Sequence, residues 1–356
     1  MQRALLPIDV CERIIDSCNS CPQFFYPQHL ADLRACALTC QDWVPRSRLN
    51  LYSSVRLRNV RQLDAFLNTI AAHPFLADFV QELVVGRSTM TPDNPSERYL
   101  PFAHAALVSA LRGVRRLHLC HYLWQAHHPR YIQLAARYPI VELSLLGGTY
   151  QTLADVFRVV WAFEHLQVLR LSIAELSKDS SSLPLVEFIK RRKARICCHL
   201  ETVMILGPAL LGTKTFPPIG CFGNSLTYLG LFWTPELRYV PSEALLLYLS
   251  TPSTLQHVAW RADCGAIWKL GDVHNCKLYV RNSLQVIPAD GPLRWVTLDF
   301  RAPTTTGNMS RTLFLEYTIG SDLFGIKLHR TIWRLEHFKS LTLLVPESDQ
   351  ARYGAA

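Results

Sequence analysis

Apolar positions recur as a short unit: two alternating apolar residues, with another three positions before the first of them. Its members are Val80-x-x-Leu83, Val114-x-x-Leu117-x-Leu119, Leu166-x-x-Leu169-x-Leu171, Leu200-x-x-Val203-x-Ile205, Leu226-x-x-Leu229-x-Leu231, Leu255-x-x-Val258-x-Trp260 and Leu293-x-x-Val296-x-Leu298. Val141-x-Leu143-x-Leu145 is a looser member. Period-two alternation predicts short strands with one buried face. Between them lie helical spacings, clearest in Leu153, Val156, Phe157, Val160, Trp161 and Glu164, and again in Leu63, Phe66, Leu67 and Ile70.

Successive anchors at 83, 117, 143, 169, 203, 229 and 258 are 34, 26, 26, 34, 26 and 29 residues apart. Several of these fall in the range of roughly 20 to 29 residues for a leucine-rich repeat. Strand, loop and helix in alternation predict an α/β fold in which each unit buries its apolar stripe against its neighbours. The expected architecture is an irregular leucine-rich-repeat-like α/β solenoid over 61–346, with 347–356 a disordered tail. Irregularity is expected because Tyr122, Gly148, Ala174 and Thr234 stand where such repeats use Asn or Cys to bond the turn, and none supplies that ladder. Cys276 to Ile287 and Pro303 to Ser310 break the rhythm and mark a cap or an inserted hairpin.

Residues 1–60 follow a different pattern. Leu6-Pro7 opens an amphipathic stretch with Val10, Ile14 and Ile15 at helical spacing, and Asp9 and Glu12 sit where the helix dipole favours negative charge. Asn19 to His29, with two prolines and three aromatics, reads as an ordered loop. A second helix is expected from about Gln28 to Val44 on Leu30, Leu33, Ala37, Cys40 and Val44, ending or kinking before Pro45. A third segment runs from Arg46 to Leu57. So many apolar residues in so small a unit imply a surface that a partner covers.

Leu6-Pro7-x-x-Val10-x-x-x-Ile14-Ile15, then Leu33, then Leu38-Thr39-Cys40-Gln41-Asp42-Trp43, is similar to the F-box pattern, in the variety common in large fungal F-box families. Arg46-Ser47-Arg48, Leu51-Tyr52, Val55, Leu57, Leu63, Phe66-Leu67, Pro74-Phe75-Leu76-Ala77 and Val80 extend the resemblance over about the first 85 residues. The loop from Asp16 to His29 is longer than in a typical box. The resemblance implies a small all-helical box over 1–60 that binds a Skp1-like linker and, through it, a cullin. Leu6, Pro7, Val10, Ile14, Leu38 and Trp43 would make the linker contacts, as an apolar helix patch fitting an apolar groove. For Trp43, Leu33 and Leu38 a place in the box's own core competes with direct contact. The function implied is that of a non-catalytic substrate-recognition adaptor of an SCF-type ubiquitin ligase.

In the repeat-like region, residues flanking the inward leucines point to the opposite face. This nominates Arg116, His118, Arg170, Tyr228, Phe232, His257 and Arg261 for contact with a protein substrate, together with Glu142, Ser144, Ser172, Trp295 and Asp299. Aromatic and arginine residues together are what protein interfaces favour. The competing reading makes at least half of them ordinary surface.

Composition narrows the classes. Apolar residues are 49% and charged residues 18% of the 356, enough for a large core and too little charge for general disorder. No apolar run approaches a membrane span and no leader pattern opens the chain, so a cytoplasmic or nuclear compartment and no membrane partner are expected. Eleven cysteines spread along such a chain read as thiols. The net charge of +9 is diffuse except at Lys190-Arg191-Arg192-Lys193-Ala194-Arg195, a basic run that reads first as a solvated helix face and second as an import signal or acidic-partner contact. A basic nucleic-acid-binding protein and a scaffold outside any ligase are the alternatives, nucleic acid being the less expected partner.

Cys18-x-x-Cys21 and Cys36-x-x-x-Cys40, with His29 between, mimic a zinc spacing, but Cys36 and Cys40 share one helix face and read more simply as packing residues. His118, Cys120, His121, His127 and His128 gather in sequence, yet two of them alternate with strand leucines. No phosphate-cradling glycine loop, nucleophile elbow or metalloprotease helix is present. No cofactor, metal or catalytic residue is expected.

Overall fold

A computed structural model describes residues 7–19, 28–86, 105–121, 130–176, 197–207, 220–233, 243–250, 254–263, 292–293, 295–301 and 340–344, with isolated positions between 210 and 287. The chain forms two compact units, Met1–Ser144 and Leu145–Ala356. Both are mixed α/β, and every strand pairing recorded in them is parallel.

The first unit begins with α1 (Ile8–Asn19), whose first turn closes on the Pro7 carbonyl as acceptor for the amides of Val10 and Cys11 at 3.0 and 3.1 Å. Cys11 and Ile15, one turn apart, are fully buried. In α2 (Gln28–Thr39) the fully buried residue is Leu33. The helix does not run on to Val44 as its spacing predicts. Cys40 is extended, at φ −156° and ψ 166°, and a 3-10 turn (Gln41–Trp43) leads into α3 (Val44–Ser53). Pro45 lies in the first turn of α3, where its missing N–H has no intrahelical acceptor to lose, so it opens a helix where the sequence suggested a break.

The first sixty residues are also not wholly helical. Ser54–Leu57 is β1, with Val55 and Leu57 buried. It pairs with β2 (Glu82–Gly86), and β2 pairs with β3 (Arg116–Cys120), in registers Val55↔Leu83↔Leu117 and Leu57↔Val85↔Leu119. All six of these side chains are in the core. The connection between β1 and β2 is α4 (Val60–Ala72), capped by Asn59 Oδ1 accepting from the Gln62 amide at 2.9 Å and burying Leu63, Phe66 and Ile70. The short helices α5 (Ala105–Ala110) and α6 (Arg130–Ala135) follow. Next comes β4 (Glu142–Tyr150), where the chain passes from one unit to the other. Ile140 is buried there while Val141 is half-buried. The unit that looked irregular is therefore Ile140-x-x-Leu143-x-Leu145, in full agreement with the others.

In the second unit, α7 (Leu153–Val160) opens with a capping box: Thr152 Oγ1 accepts from the Asp155 amide at 3.3 Å and Asp155 Oδ2 from the Thr152 amide at 3.1 Å. The strands β5 (Val168–Leu176), β6 (Thr202–Leu206), β7 (Tyr228–Trp233), β8 (His257–Asp263), β9 (Trp295–Arg301) and β10 (Ser340–Leu344) pair in sequence order. Leu169, Val203, Leu229 and Val258 form one fully buried row, and Leu171, Ile205, Leu231 and Trp260 the next. Phe157, Phe222 and Tyr248, the last on α8 (Glu243–Ser250), form a chain of ring contacts at 5.6 and 5.9 Å that joins successive interstrand segments.

The turns that lead into the strands share one backbone bonding pattern, while Gly148 and Ala174, expected in turns, stand inside β4 and β5. The Gln81 carbonyl accepts from the amides of both Arg115 and Arg116, at 2.8 and 3.0 Å, and that of Arg115 from Val141 and Glu142, at 2.8 and 3.1 Å. Gln167, Glu201 and Thr227 repeat the arrangement toward 201–202, 227–228 and 256–257. Each of these acceptors stands two residues before an anchor, so uneven repeat lengths still converge on one bonding pattern. Hydroxyls reinforce it: Ser225 Oγ donates to Cys198 O at 2.6 Å and Thr254 Oγ1 to Leu226 O at 2.7 Å.

Candidate docking surfaces

The N-terminal helices leave apolar side chains uncovered. Val10 and Ile14, at i and i+4, share one stripe of α1 beside the buried Cys11 and Ile15, and Pro7 stands exposed just before the helix begins. Val10 is 42% and Ile14 40% exposed, Ile8 is 49% exposed, and Leu38 on α2 is 81% exposed. Leu33 takes the core place on α2 that competed with contact, and Leu38 does not. Trp43 is half-buried, and Leu6 lies outside the described residues.

A polar clamp holds this unit in shape. Arg46 Nε donates to Asp16 Oδ1 at 2.7 Å, its second nitrogen to Oδ2, and Asn50 Nδ2 to Oδ1 at 2.9 Å, tying α3 to α1. The Arg46 hydrogen bond, aided by Asn50 and opposed by burial, holds the Asp16 carboxyl below its ordinary range. α2 packs on both α1 and α3, so the exposed stripe rests on a braced core.

On the strands, the face opposite the leucines differs between the units. In the first, Glu82 gathers its neighbours: Oε1 accepts from Ser54 Oγ at 3.1 Å, and Oε2 pairs with Arg116 Nε at 3.2 Å. His118 Nε2 lies 3.6 Å from Glu82 Oε1. His118 and Ser144, expected to point outward, are buried, so neither offers a free contact surface. Arg116 is partly exposed but already engaged.

In the second unit this face is aromatic. Register places Tyr228 beside His257, and their rings meet edge to face at 4.8 Å between centroids. His257 Nε2 bonds Thr297 Oγ1 at 2.8 Å, and burial pushes the imidazole's pKa down, which favours the neutral ring. The middle row is Arg170, Met204, Gly230, Ala259 and Thr297. A Cβ on Gly230 would stand 3.2 Å from Tyr228 Cε1 and 3.4 Å from Met204 Cγ, so the glycine gives the Tyr228 ring room to lean toward the row. Phe232 is half-buried one row on, in register with Arg261. Met204, Ala259 and Thr297 were not nominated from sequence, although each is the middle residue of its alternating unit and anchor alignment alone would have found them.

The basic run 190–195, Cys21, His127, His128 and the expected tail 347–356 lie outside the described residues, as do all of 303–310 and half of 276–287, the stretches read as a cap or an inserted hairpin. Among the described residues no three His, Cys, Asp or Glu side chains gather as a metal site, and no helix is long and apolar enough to cross a membrane.

No protein-family model matches the chain, and no curated protein matches it. Among solved structures, a chain of the "Crystal structure of TLR13-ssRNA13 complex" is similar over 77% of this chain and 32% of that one, at 15% identity and a TM-score of 0.39. This chain thus spans about a third of that one, and a likeness of this size carries no argument about function.

Proposed function

We propose that the chain is a substrate-recognition adaptor of an SCF-type ubiquitin ligase, with an F-box at its N-terminus and an irregular leucine-rich-repeat-like solenoid after it. The helical unit docks on a Skp1-like linker and through it on a cullin. The aromatic strand face around Tyr228, His257 and Phe232 takes a protein substrate, and the chain itself contributes proximity and no chemistry.

One observation carries this reading: the residues that resemble the linker contacts of a box, Pro7, Val10, Ile14 and Leu38, stand exposed on a small unit whose own core is already filled by Cys11, Ile15, Leu33 and Cys40. Apolar side chains left in water on a braced helical surface suit a partner's apolar groove. The test is co-purification of the full chain with a Skp1-like linker, followed by substrate ubiquitination with and without the chain. Absence of linker binding by the folded wild-type protein sinks the proposal. Linker binding without any dependence of ubiquitination on the chain favours a scaffold outside the ligase.

A further inference from the structure

In the second unit the residue just before the first buried leucine of each repeat sits on a turn. Ahead of β5 the Leu166 amide donates to the Phe163 carbonyl at 3.4 Å, and ahead of β6 the Leu200 amide donates to the Cys197 carbonyl at 3.0 Å. Leu166 and Leu200 are fully buried, and the Gln167 carbonyl accepts from the Glu201 and Thr202 amides at 2.9 and 3.0 Å, so the two turns are locked side by side. The position is His165 in the first turn and His199 in the second, then Ser225 and Thr254 in the next two repeats. Both hydroxyls reach back to carbonyls of the preceding repeat: Ser225 Oγ donates to Cys198 O at 2.6 Å, and Thr254 Oγ1 to Asn224 O and Leu226 O at 2.9 and 2.7 Å. The imidazoles instead stay exposed and face each other, with ring centres 6.3 Å apart and planes at 35°. Among the described residues no hydrogen bond or ion pair engages either ring.

We infer that His165 and His199 together bind a zinc ion, through one ring nitrogen of each. Neutral imidazole is the commonest protein ligand for such metals and suits zinc and its first-row neighbours, whereas calcium and magnesium take oxygen. Two imidazoles that share a zinc at about 2.0–2.1 Å per nitrogen and a tetrahedral angle have ring centres about 5 Å apart. Rotation of two exposed side chains covers the remaining difference of about 1 Å. The paired turns beneath hold both Cβ atoms on one edge at a fixed separation, so the ion has little left to order when it enters. Two nitrogens are fewer than the four protein ligands of a closed structural site, so water completes the tetrahedron and the ion keeps open positions. The site stands on the turn edge of the second unit and depends on neither the linker nor the substrate reading.

The experiment labels the full chain with diethyl pyrocarbonate, which carbethoxylates neutral imidazole, across a zinc titration, and maps the modified histidines by peptide mass spectrometry. Zinc should protect His165 and His199 with one shared midpoint, reversibly on chelation, while His73, exposed on the first unit, keeps its labelling rate. In His199→Ala the midpoint for His165 should rise at least about tenfold, the lower end of what loss of even an outer-shell partner costs a metal site. His165→Ala should do the same to His199. Cys198→Ser should leave the protection unchanged, although that thiol is exposed beside His199. Equal labelling of both rings with and without zinc overturns the inference. So does protection of one ring alone, protection of His165 that persists unchanged in His199→Ala, or its loss in Cys198→Ser, which moves the ion to the thiol. The wild-type map by itself can refute the site, so misfolding of a variant leaves the outcome readable.

Discussion

Replacing Val10, Ile14 and Leu38 together by Asp tests the docking surface quantitatively. Full burial of a Val, Leu or Ile side chain is worth roughly 1.5–3 kcal/mol. Leu38 is 81% exposed in the free chain, so covering it contributes about 2 kcal/mol. Val10 and Ile14, at 42% and 40%, add about 1 kcal/mol each. The sum, about 4 kcal/mol, corresponds to about a thousandfold in Kd. Three carboxylates brought into an apolar groove add their desolvation, so the loss should be at least that large. The assay is titration of the purified linker by calorimetry against wild type and variant, with thermal melts of both. Since the three positions are exposed, the melt should barely move. Leu33→Ala, by contrast, empties a fully buried site and should cost about 2–5 kcal/mol of stability. A folded triple variant that binds within about threefold of wild type would refute the assignment of this surface.

Other consequences follow from the clamp, the strands and the face. The Asp16 carboxyl is depressed in the folded state, so its contribution is present above its unfolded value of about 3.9 and is lost as pH falls from there through the folded value. Discounted for the partial exposure of the pair, Asp16→Asn should cost about 1 kcal/mol at neutral pH and flatten the acid limb of a melting-versus-pH curve below about pH 4; an unchanged limb counts against the clamp. Gly86 sits at φ +110° with its absent Cβ 2.0 Å from the Cys120 carbonyl oxygen, so Gly86→Ala should lower the denaturation midpoint by the equivalent of about 3 kcal/mol or more. Gly207, at φ +88° in open space, is the comparison, and its alanine variant should cost only about 1 kcal/mol. Gly230→Val should displace the Tyr228 ring from His257, read as a changed Tyr228 or His257 ring signal in NMR, and weaken substrate capture without altering linker binding.

How far the chain could be read before folding varied by element. The alternating units and their spacing located the buried rows of the described strands from Leu83 to Val258, because alternation records which face meets the core and needs no knowledge of the neighbour. Helical spacing made Cys40 a core residue, and the F-box resemblance left Leu38 undecided between core and contact. What it could not reach depended on packing between distant residues. The same alternation placed His118 outward, but Glu82 and the surroundings of that face bury it. Ser54–Leu57 looked like the end of a helical unit until β2 offered it a parallel partner.

The sequence by itself determined the apolar rows, the uneven repeat lengths, and the apolar excess of the first sixty residues, since all three are properties of local order along the chain. Tertiary structure alone decided which of those apolar residues stay uncovered, which backbone carbonyls bond the turns that lead into the strands, and which face residues meet. Exposure, bonding of turns and ring contacts are set by elements brought together from 26 to 65 positions apart, as in Thr227 with Glu201, His257 with Thr297 and Phe157 with Phe222, and no local pattern encodes that meeting.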